Sequence, residues 1–346
     1  MPLIPRSLRR YLIGDSTSVL NLLRRSPRLF FLSSINIYPT NICNYDCMMC
    51  ESAKSILREK NRMDFALMQK ILRECGALTH KPVLHFAGHG EPLVYEHIRP
   101  SMELCRELDL KWTMNTNGDL LGRHAEEIID NRAYAINLSF HGTSATHDQV
   151  VKIPGSYQRV IKGLMKIDEL KKARGLKTPI ISVNCVINTP NLEHLERIAE
   201  EYTALPIDRL SFQHLIFGEQ ELDDPASFVI RGQERLAMLT EFCRKMEQGG
   251  GYRIPVTLIP KIKTGDVQGY YTDRCHPFAK SCLNPWLSVR VHYNGDVEVC
   301  KQILGNVRDH TLREVINSEK AKAFRRMIRD GGSIPACFRC CHRHYY

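Results

Sequence analysis

The sequence predicts an α/β fold, in which a partial (β/α)6 TIM-like barrel precedes a small C-terminal α+β domain made of a hairpin and a helix. From residue 34 to 260, short β-rich runs alternate with helical patterns, which is typical of strand–helix units that build a parallel sheet. After residue 260 the pattern changes, because two β-rich runs flank Asn294 and Gly295, a strong type I′ hairpin signal. A helix over 312–330 then leads into a cysteine-rich end.

The alternating region predicts six strand–helix units. The strands are expected at residues 34–38, 83–87, 111–115, 135–140, 180–186 and 209–213, and the helices at 64–78, 97–108, 122–131, 157–173, 192–202 and 231–248. Three consecutive glycines at 249–251 are the clearest linker signal. The predicted domains are a basic N-terminal helical segment (1–33), the barrel (34–260) and the C-terminal domain (261–346).

The composition is that of a folded globular protein of 346 residues, with 43% hydrophobic and 25% charged residues. No uncharged apolar run approaches the roughly 20 residues of a membrane-spanning helix, and the N-terminus does not resemble a secretory signal. A cytoplasmic location is therefore expected. The net charge of +10 would suit a nucleic-acid ligand, but it is more typical of a solvated surface, so no nucleic-acid partner is expected.

Cysteine is the unusual residue, with 13 copies in the chain. Because the cytoplasm keeps thiols reduced, clustered cysteines indicate metal binding or catalysis rather than disulfides. Four cysteines are isolated in predicted helices or strands and are expected to be small buried hydrophobic residues: Cys75, Cys105, Cys185 and Cys243. The other nine fall into two groups near opposite ends of the chain.

The first group follows the first predicted strand with the spacing C-x3-C-x2-C, at Cys43, Cys47 and Cys50. Three thiolates in one loop can each hold one iron of a [4Fe–4S] cube, and the fourth iron then stays open to another ligand. Zinc is the alternative, although a structural zinc site has four protein ligands. A loop at the carboxyl end of a barrel strand is a typical position for an active site.

The second group has the spacing C-x12-G-x4-C across the predicted hairpin, from Cys282 to Cys300. It continues with Cys337-x2-Cys340 and the adjacent Cys341. Hairpin ligands combined with a distant C-x2-C pair could bind zinc. Zinc and an iron–sulfur cluster both remain open from composition alone.

The N-terminal cysteine loop resembles that of the radical S-adenosylmethionine (SAM) superfamily, and further motifs extend the resemblance along the chain. Gly88-His89-Gly90-Glu91-Pro92 follows the second strand, like the family's GGEP-type motif, and Thr116-Asn117-Gly118 follows the third strand, like its TNG segment. The resemblance implies that Gly90, Glu91, Asn117 and Ser139 lie at the SAM site. Met49 stands where the family usually has an aromatic residue near the adenine.

The resemblance also implies the chemistry. A reduced [4Fe–4S] cluster on Cys43, Cys47 and Cys50 cleaves SAM to a 5′-deoxyadenosyl radical, which abstracts a hydrogen from the substrate. The electron would come from a reductant such as flavodoxin or ferredoxin.

The C-terminal group is similar to the SPASM/twitch extension of these enzymes. It has fewer cysteines than a full SPASM domain, which implies one auxiliary [4Fe–4S] cluster that acts as an electron relay. Its implied ligands are Cys282, Cys300, Cys337 and Cys340. Cys275 is the better candidate for a thiol hydrogen donor, and Cys341 is expected to be inert.

Several reactions remain open. The favoured one is oxidation (dehydrogenation) or epimerisation of a small polar metabolite. The first alternative is modification of a peptide or protein, as in many SPASM-bearing maturases. The alternative from another class is a zinc protein that binds nucleic acid. His89 and His141 lie in or after the SAM-region motifs and are candidate substrate contacts.

Overall fold

A computed structural model describes residues 25–29, 32–50, 59–217, 228–273, 282–337 and 339–340. Within these ranges the strands are β1 Ser34–Tyr38, β2 Val83–Phe86, β3 Trp112–Thr116, β4 Ala135–Ser139, β5 Ile180–Val186, β6 Arg209–Gln213, β7 Val256–Ile259, β8 Ser288–His292, β9 Asp296–Val299 and β10 Gln302–Asn306. The α-helices are α1 Phe65–Gly76, α2 Ile98–Glu107, α3 Leu121–Asp130, α4 His147–Val151, α5 Ser156–Ala173, α6 Leu195–Thr203, α7 Gln233–Glu247, α8 Val267–Thr272, α9 Asn284–Leu287, α10 Leu312–Ile316 and α11 Glu319–Arg329.

The described residues form two compact units. The first takes in those of Met1–Ile42, Lys60–Thr113 and Ser281–Ile334, and the second those of Cys43–Glu59, Met114–Lys280 and Pro335–Tyr346. Strand β3 crosses the division, because Trp112 and Thr113 belong to the first unit and the rest of the strand to the second. Most of the predicted N-terminal helical segment lies outside the described residues.

In the first unit the strand order is β10-β9-β8-β1-β2. Strand β1 pairs in parallel with both β2 and β8, whereas β8, β9 and β10 pair antiparallel. Alternate residues of β1 are buried, and Ile35 and Ile37 are fully inaccessible to solvent. Because side chains alternate between the two faces of a strand, Ser34, Asn36 and Tyr38 share the opposite, half-buried face.

In the second unit β4, β5, β6 and β7 follow one another in parallel, each joined to the next by helical crossovers. The same alternation occurs here, with Ile136, Leu138 and Val183 at most 1% exposed. Helices α3 and α5 approach closely at Gly163, where a Cβ atom would lie 2.8 Å from the backbone nitrogen of Gly122. This close contact needs glycine on α5 and fixes that helix against α3.

The predicted strands and helices are found within a few residues of their expected bounds, but three features differ. The predicted helix over 312–330 is two helices, because Ser318 caps α11 by accepting a hydrogen bond from the Ala321 amide. Strands β7 and β10 were not predicted. The type I′ turn predicted at Asn294 and Gly295 is wrong, since Gly295 alone has a positive φ in that loop.

Both residues of the next turn, Cys300 and Lys301, have positive φ angles of 50° and 63°. This two-residue connection between β9 and β10 has the conformation of a type I′ turn. Cys300, a predicted cluster ligand, therefore has a left-handed backbone conformation. The sequence did not indicate this, because neither residue of the turn is Gly or Asn.

No helix in the described part of the chain is both long enough and apolar enough to cross a membrane. The acidic, irregular sequence of residues 218–228 predicts a loop, and all of it except Phe228 lies outside the described residues.

Candidate active site

The two flanks of the N-terminal cysteine loop are joined at their base in the first unit. The backbone amide of Asn61 donates to the Asn41 side chain at 2.7 Å, and the Asn41 amide donates to the Asn61 carbonyl at 3.2 Å. The hydroxyl of Thr40 also donates to the Asn61 carbonyl, at 2.9 Å. Asn41 is 4% exposed and Thr40 1%, so these bonds are shielded from water and fix the points where the loop leaves and returns.

The Gly90 segment supports the residue that precedes Cys43. The amide of Glu91 donates to the Ile42 carbonyl at 2.9 Å, and a Cβ atom on Gly90 would lie 2.4 Å from that same oxygen. Only glycine permits this approach of two backbones. The carboxylate of Glu91 is 2% exposed and accepts from the Leu93 amide at 3.1 Å, so it caps the following helical turn.

The three loop cysteines, Cys43, Cys47 and Cys50, lie in the second unit, each partly exposed. The Cys50 amide donates to the Cys47 carbonyl at 3.1 Å, which folds the C-x2-C segment into a turn. Burial, together with the neighbouring thiols of Cys43 and Cys50, raises the pKa of Cys47 to about 12. The three sulfurs are therefore close enough to repel one another when charged, and a bound cation would favour their thiolate forms.

This donor set fits a [4Fe–4S] cluster bound by three cysteines. The sequence offers no further Cys or His after Cys50 until Cys75, which is buried in α1. Among the described residues, no three Cys, His, Asp or Glu side chains are grouped as ligands of one metal ion. A cube places each thiolate on a different iron, so it suits sulfurs that are more widely spaced.

One predicted SAM-site residue, Asn117, contacts this loop, and another, Met49, belongs to it. Asn117, after β3, donates from Nδ2 to Asn44 Oδ1 at 2.8 Å and to the sulfur of Cys43 at 3.8 Å. The sulfur of Met49 accepts from Asn188 Nδ2 at 3.4 Å, which ties that side chain to the end of β5. The roles of Asn117 and Met49 toward SAM stay predictions.

Ser139 ends β4 and begins a row of polar side chains. Strand register pairs Ser139 with Asn184, Asn184 with Ser211, and Ser211 with Thr257. These four uncharged residues, called the polar row below, lie at one level on four neighbouring strands and on the half-buried or exposed face of each. The row offers hydroxyl and amide groups and no charge.

The predicted auxiliary ligands lie in both units. In the first, Cys282 is buried and Cys300 is partly exposed, and Asn284 Nδ2 donates to the Cys300 sulfur at 3.7 Å. In the second, Cys337 is buried and Cys340 partly exposed. Cys275 and Cys341, the predicted hydrogen donor and the predicted inert cysteine, lie outside the described residues.

The turn that carries Cys300 is held by a carboxylate whose side chain is 12% exposed. Glu298 accepts from the Lys301 amide at 3.0 Å, from Arg290 at 2.7 Å and from His292 at 2.9 Å. Burial alone would raise the pKa of Glu298, but the hydrogen bonds from His292 and Arg290 and the charge of Arg290 outweigh it and lower the pKa to about 2. The ionised carboxylate therefore stabilises this turn.

We expect Glu298→Gln to destabilise the iron-free chain at pH 7 by about 3 kcal/mol at most. That is the free energy that corresponds to lowering the pKa of Glu298 from 4.5 to about 2, and an uncharged glutamine loses it. The contribution is present above the ordinary pKa of 4.5 and is lost as the pH falls through about 2. Urea unfolding of both chains between pH 7 and pH 2 measures the difference. Glu241→Gln, which removes an exposed carboxylate, should leave the unfolding midpoint unchanged; a pH-independent difference for Glu298→Gln would contradict the expectation.

His141 does not fit the predicted substrate contact. It is 5% exposed, its Nδ1 accepts from the Val186 amide at 3.2 Å, and burial lowers its pKa to about 3. The ring is a neutral acceptor that links β5 to the loop after β4. His89 is exposed and lies edge-on to Tyr38, with ring centroids 5.5 Å apart.

The four isolated cysteines are buried, as predicted, with no exposed surface on any of them: Cys75, Cys105, Cys185 and Cys243. Sequence reasoning missed the carboxylate of Asp119, which receives three side-chain hydrogen bonds beside the cysteine loop. Its position directly after the Thr-Asn-Gly segment was the available signal. Arg159, one of its donors, lies on α5 and gave no signal.

Two protein families match parts of this chain. The radical SAM superfamily matches residues 37–202, and an iron–sulfur cluster-binding domain named SPASM matches residues 282–341. Among curated proteins, a GTP 3′,8-cyclase of Rhizobium etli is 28% identical over 284 residues, which are 77% of this chain and 74% of the relative. A GTP 3′,8-cyclase of Brucella ovis is 26% identical over 298 residues, covering 83% and 80% of the two chains.

Solved structures share the fold at low sequence identity. Streptococcus suis SuiB bound to S-adenosylmethionine has a TM-score of 0.64 and 19% identity, covering 94% of this chain and 75% of its own. Native anSMEcpe with bound AdoMet has a TM-score of 0.60 and 18% identity, covering 89% and 88%. These similarities and the parallel strand–helix repeat confirm the predicted α/β fold class.

The two family matches cover both cysteine groups, in the order that the sequence predicted. The chain therefore belongs to the radical SAM superfamily and carries a C-terminal SPASM domain, which implies a SAM-binding [4Fe–4S] cluster, an auxiliary cluster and SAM as its cofactors.

Proposed function

We propose that the chain abstracts a hydrogen atom from a small polar metabolite and thereby oxidises or epimerises it. The observation that carries this proposal is the polar row of the second unit. Four uncharged side chains at one level of β4 to β7 can hydrogen-bond hydroxyl, carbonyl or amide groups of a ligand, and no charged side chain interrupts them. Such a surface suits a sugar, polyol or nucleoside better than a multiply charged group.

Asn184 strengthens this argument. Its Nδ2 donates to Gln213 Oε1 at 2.8 Å, whereas its Oδ1 is buried and has no hydrogen-bond partner within the described residues. A buried acceptor without a partner is unfavourable by about 1–3 kcal/mol, so the Asn184 amide would gain a matching interaction by turning this oxygen toward an O–H or N–H of a ligand.

The curated relatives support a small molecule as substrate. Their name, GTP 3′,8-cyclase, describes a reaction on a nucleotide, and a nucleoside carries ribose hydroxyls of the kind that the polar row would bind. Identity of 25–28% leaves the substrate itself open, so we propose the class and not GTP.

With its cofactors bound, the site supplies a 5′-deoxyadenosyl radical that removes one hydrogen atom from a substrate carbon. The polar row would hold that carbon in position and exclude water. Oxidation then requires loss of one further electron, for which the auxiliary cluster is the proposed acceptor, and of one proton to a base. Epimerisation instead requires a hydrogen atom from a thiol, and Cys275 is the proposed donor.

The test uses the full chain, reconstituted anaerobically with iron and sulfide and mixed with SAM and dithionite. Separate reactions contain nucleosides, sugars with polyols, or a peptide library, and 5′-deoxyadenosine is measured in each. We expect one of the first two sets to accelerate its formation. In D2O, a product that has gained one deuterium indicates epimerisation, and a product that has lost a pair of hydrogens indicates oxidation.

Variants connect the result to the polar row. Asn184→Ala and Ser211→Ala should each raise KM for the accelerating compound about tenfold, the effect of losing one hydrogen bond. Thr240→Ala, on α7, removes a hydroxyl that donates to the Leu236 carbonyl and should leave KM unchanged. Acceleration by peptides alone would support the maturase alternative, and a colourless protein that binds zinc would contradict the enzyme proposal.

A further inference from the structure

The carboxylate of Asp119 joins three side chains beside the cysteine loop. Asn44 Nδ2 donates to its Oδ2 at 2.8 Å, and the Tyr45 hydroxyl donates to its Oδ1 at 3.1 Å. Arg159 Nε donates to the same Oδ1 at 2.6 Å. Asn44 and Tyr45 belong to the three-residue spacer between the first two cysteines, so the carboxylate binds the spacer to helix α5.

A second set of contacts connects this carboxylate to a cysteine sulfur. Asn117 Oδ1 accepts from the Asp119 amide at 3.0 Å, and Asn117 Nδ2 donates to Asn44 at 2.8 Å and to the Cys43 sulfur at 3.8 Å. The amide of Tyr45 also donates to that sulfur, at 3.4 Å. Two N–H groups therefore point at Cys43, and both belong to residues that Asp119 contacts through one or two hydrogen bonds.

The network is mostly shielded from water. The Asp119 side chain is 14% exposed, and the Arg159 guanidinium balances its charge. Tyr45 is 7% exposed, and its hydroxyl donates to the carboxylate from inside the fold. Charge-assisted hydrogen bonds of this kind are about twice as strong as neutral ones.

We propose that Asp119 is a positioning residue of the SAM-binding cluster: it fixes the Cys43–Cys47 spacer and thereby aims the N–H donors of Asn117 and Tyr45 at the Cys43 sulfur. Hydrogen bonds to cluster sulfurs set the electronic structure and the reduction potential of the cluster. The inference rests on the three loop cysteines as cluster ligands, and it does not depend on which substrate is used.

The experiment compares two variants that each remove one negative charge near the same cysteines, one from the shielded network and one from an exposed position. In Asp119→Asn the amide group presents a donor toward Asn44 or Arg159, so the network loses an acceptor. In Asp46→Asn the change falls inside the cysteine loop itself, on a side chain that is 62% exposed and lies 3.5 Å from Lys152. An effect of charge alone appears in both variants, and an effect of position appears only in the first.

Full-length proteins are reconstituted anaerobically, and the reduced SAM-binding cluster is examined by electron paramagnetic resonance and potentiometry. We expect Asp119→Asn to keep its iron, to change the g values and midpoint potential, and to cleave SAM about 10- to 100-fold more slowly. Asp46→Asn should change the g values and the midpoint potential much less than Asp119→Asn does. Tyr45→Phe, which removes one donor to the carboxylate, should give a smaller change of the same kind.

Equal spectra and potentials in wild type, Asp119→Asn and Tyr45→Phe would overturn the proposal, as would equal changes in Asp119→Asn and Asp46→Asn. The spectra need no substrate. A wild type that holds the cluster but accepts no small metabolite would therefore contradict the proposed function and leave this test intact.

Discussion

Replacing Cys47 with alanine is expected to abolish reductive cleavage of SAM and to remove about half of the iron and sulfide, the share of one of two cubes. Cys47 is the middle ligand of the loop, and its partly exposed thiol lies beside those of Cys43 and Cys50. Alanine supplies no electron pair to iron, and the fixed flanks of the loop cannot bring another ligand to that position. Iron and sulfide analysis, with detection of 5′-deoxyadenosine after addition of SAM and dithionite, measures both effects.

Cys105→Ala is the matched control. Its thiol is fully buried in α2, and burial raises its pKa, so it is a small apolar group within the core. We expect this variant to keep its iron and its cleavage activity and to lose about 1 kcal/mol of stability. A Cys47→Ala protein with a full complement of iron would show that the cluster is not bound where we place it.

The sequence was sufficient for most of the fold because its strands and helices have clear periodicity. Strands β1, β5 and β6 have the predicted bounds, since each is an apolar–polar alternation between turn residues. Besides the local cap at Ser318, the break after α10 involves a distant partner: the side chain of Asn317 accepts from the Leu29 amide and donates to its carbonyl. No local pattern reports a contact across 288 residues.

The candidate site also has parts that the sequence indicates and parts that depend on tertiary packing. Cysteine spacing is local, so both cysteine groups and the Gly90 segment could be read from the sequence. The support of the loop is not local, because Arg159 reaches Asp119 only where α5 packs against α3. His141 had a suggestive position after a strand, but burial in the core decides its role, and burial depends on tertiary packing.

Arg339 lies between the predicted auxiliary ligands Cys337 and Cys340 and is 1% exposed. Its Nε donates to the Tyr270 carbonyl at 2.7 Å, and another guanidinium nitrogen donates to the carbonyl of Asp273, so it binds the end of α8. The guanidinium also lies 4.2 Å from the centre of the Phe217 ring, a cation–π contact. One side chain thus fixes the C-x2-C segment in the second unit.

We therefore expect Arg339→Leu to destabilise the chain by about 2–3 kcal/mol, because it removes the hydrogen bonds of a buried guanidinium to two carbonyls and its contact with the Phe217 ring. It should also lose about half of the iron, that of the auxiliary cluster, while the Cys43–Cys50 loop still cleaves SAM. The stability and iron content of Arg339→Lys should fall between those of the wild type and Arg339→Leu, since an ammonium cannot reproduce the planar fork of the guanidinium. Arg253→Leu is the control, because Arg253 also donates to two carbonyls, those of Thr203 and Leu205, but is exposed. Iron analysis and thermal unfolding of the anaerobic proteins distinguish these cases. A full complement of iron in Arg339→Leu would show that Arg339 does not support the auxiliary site.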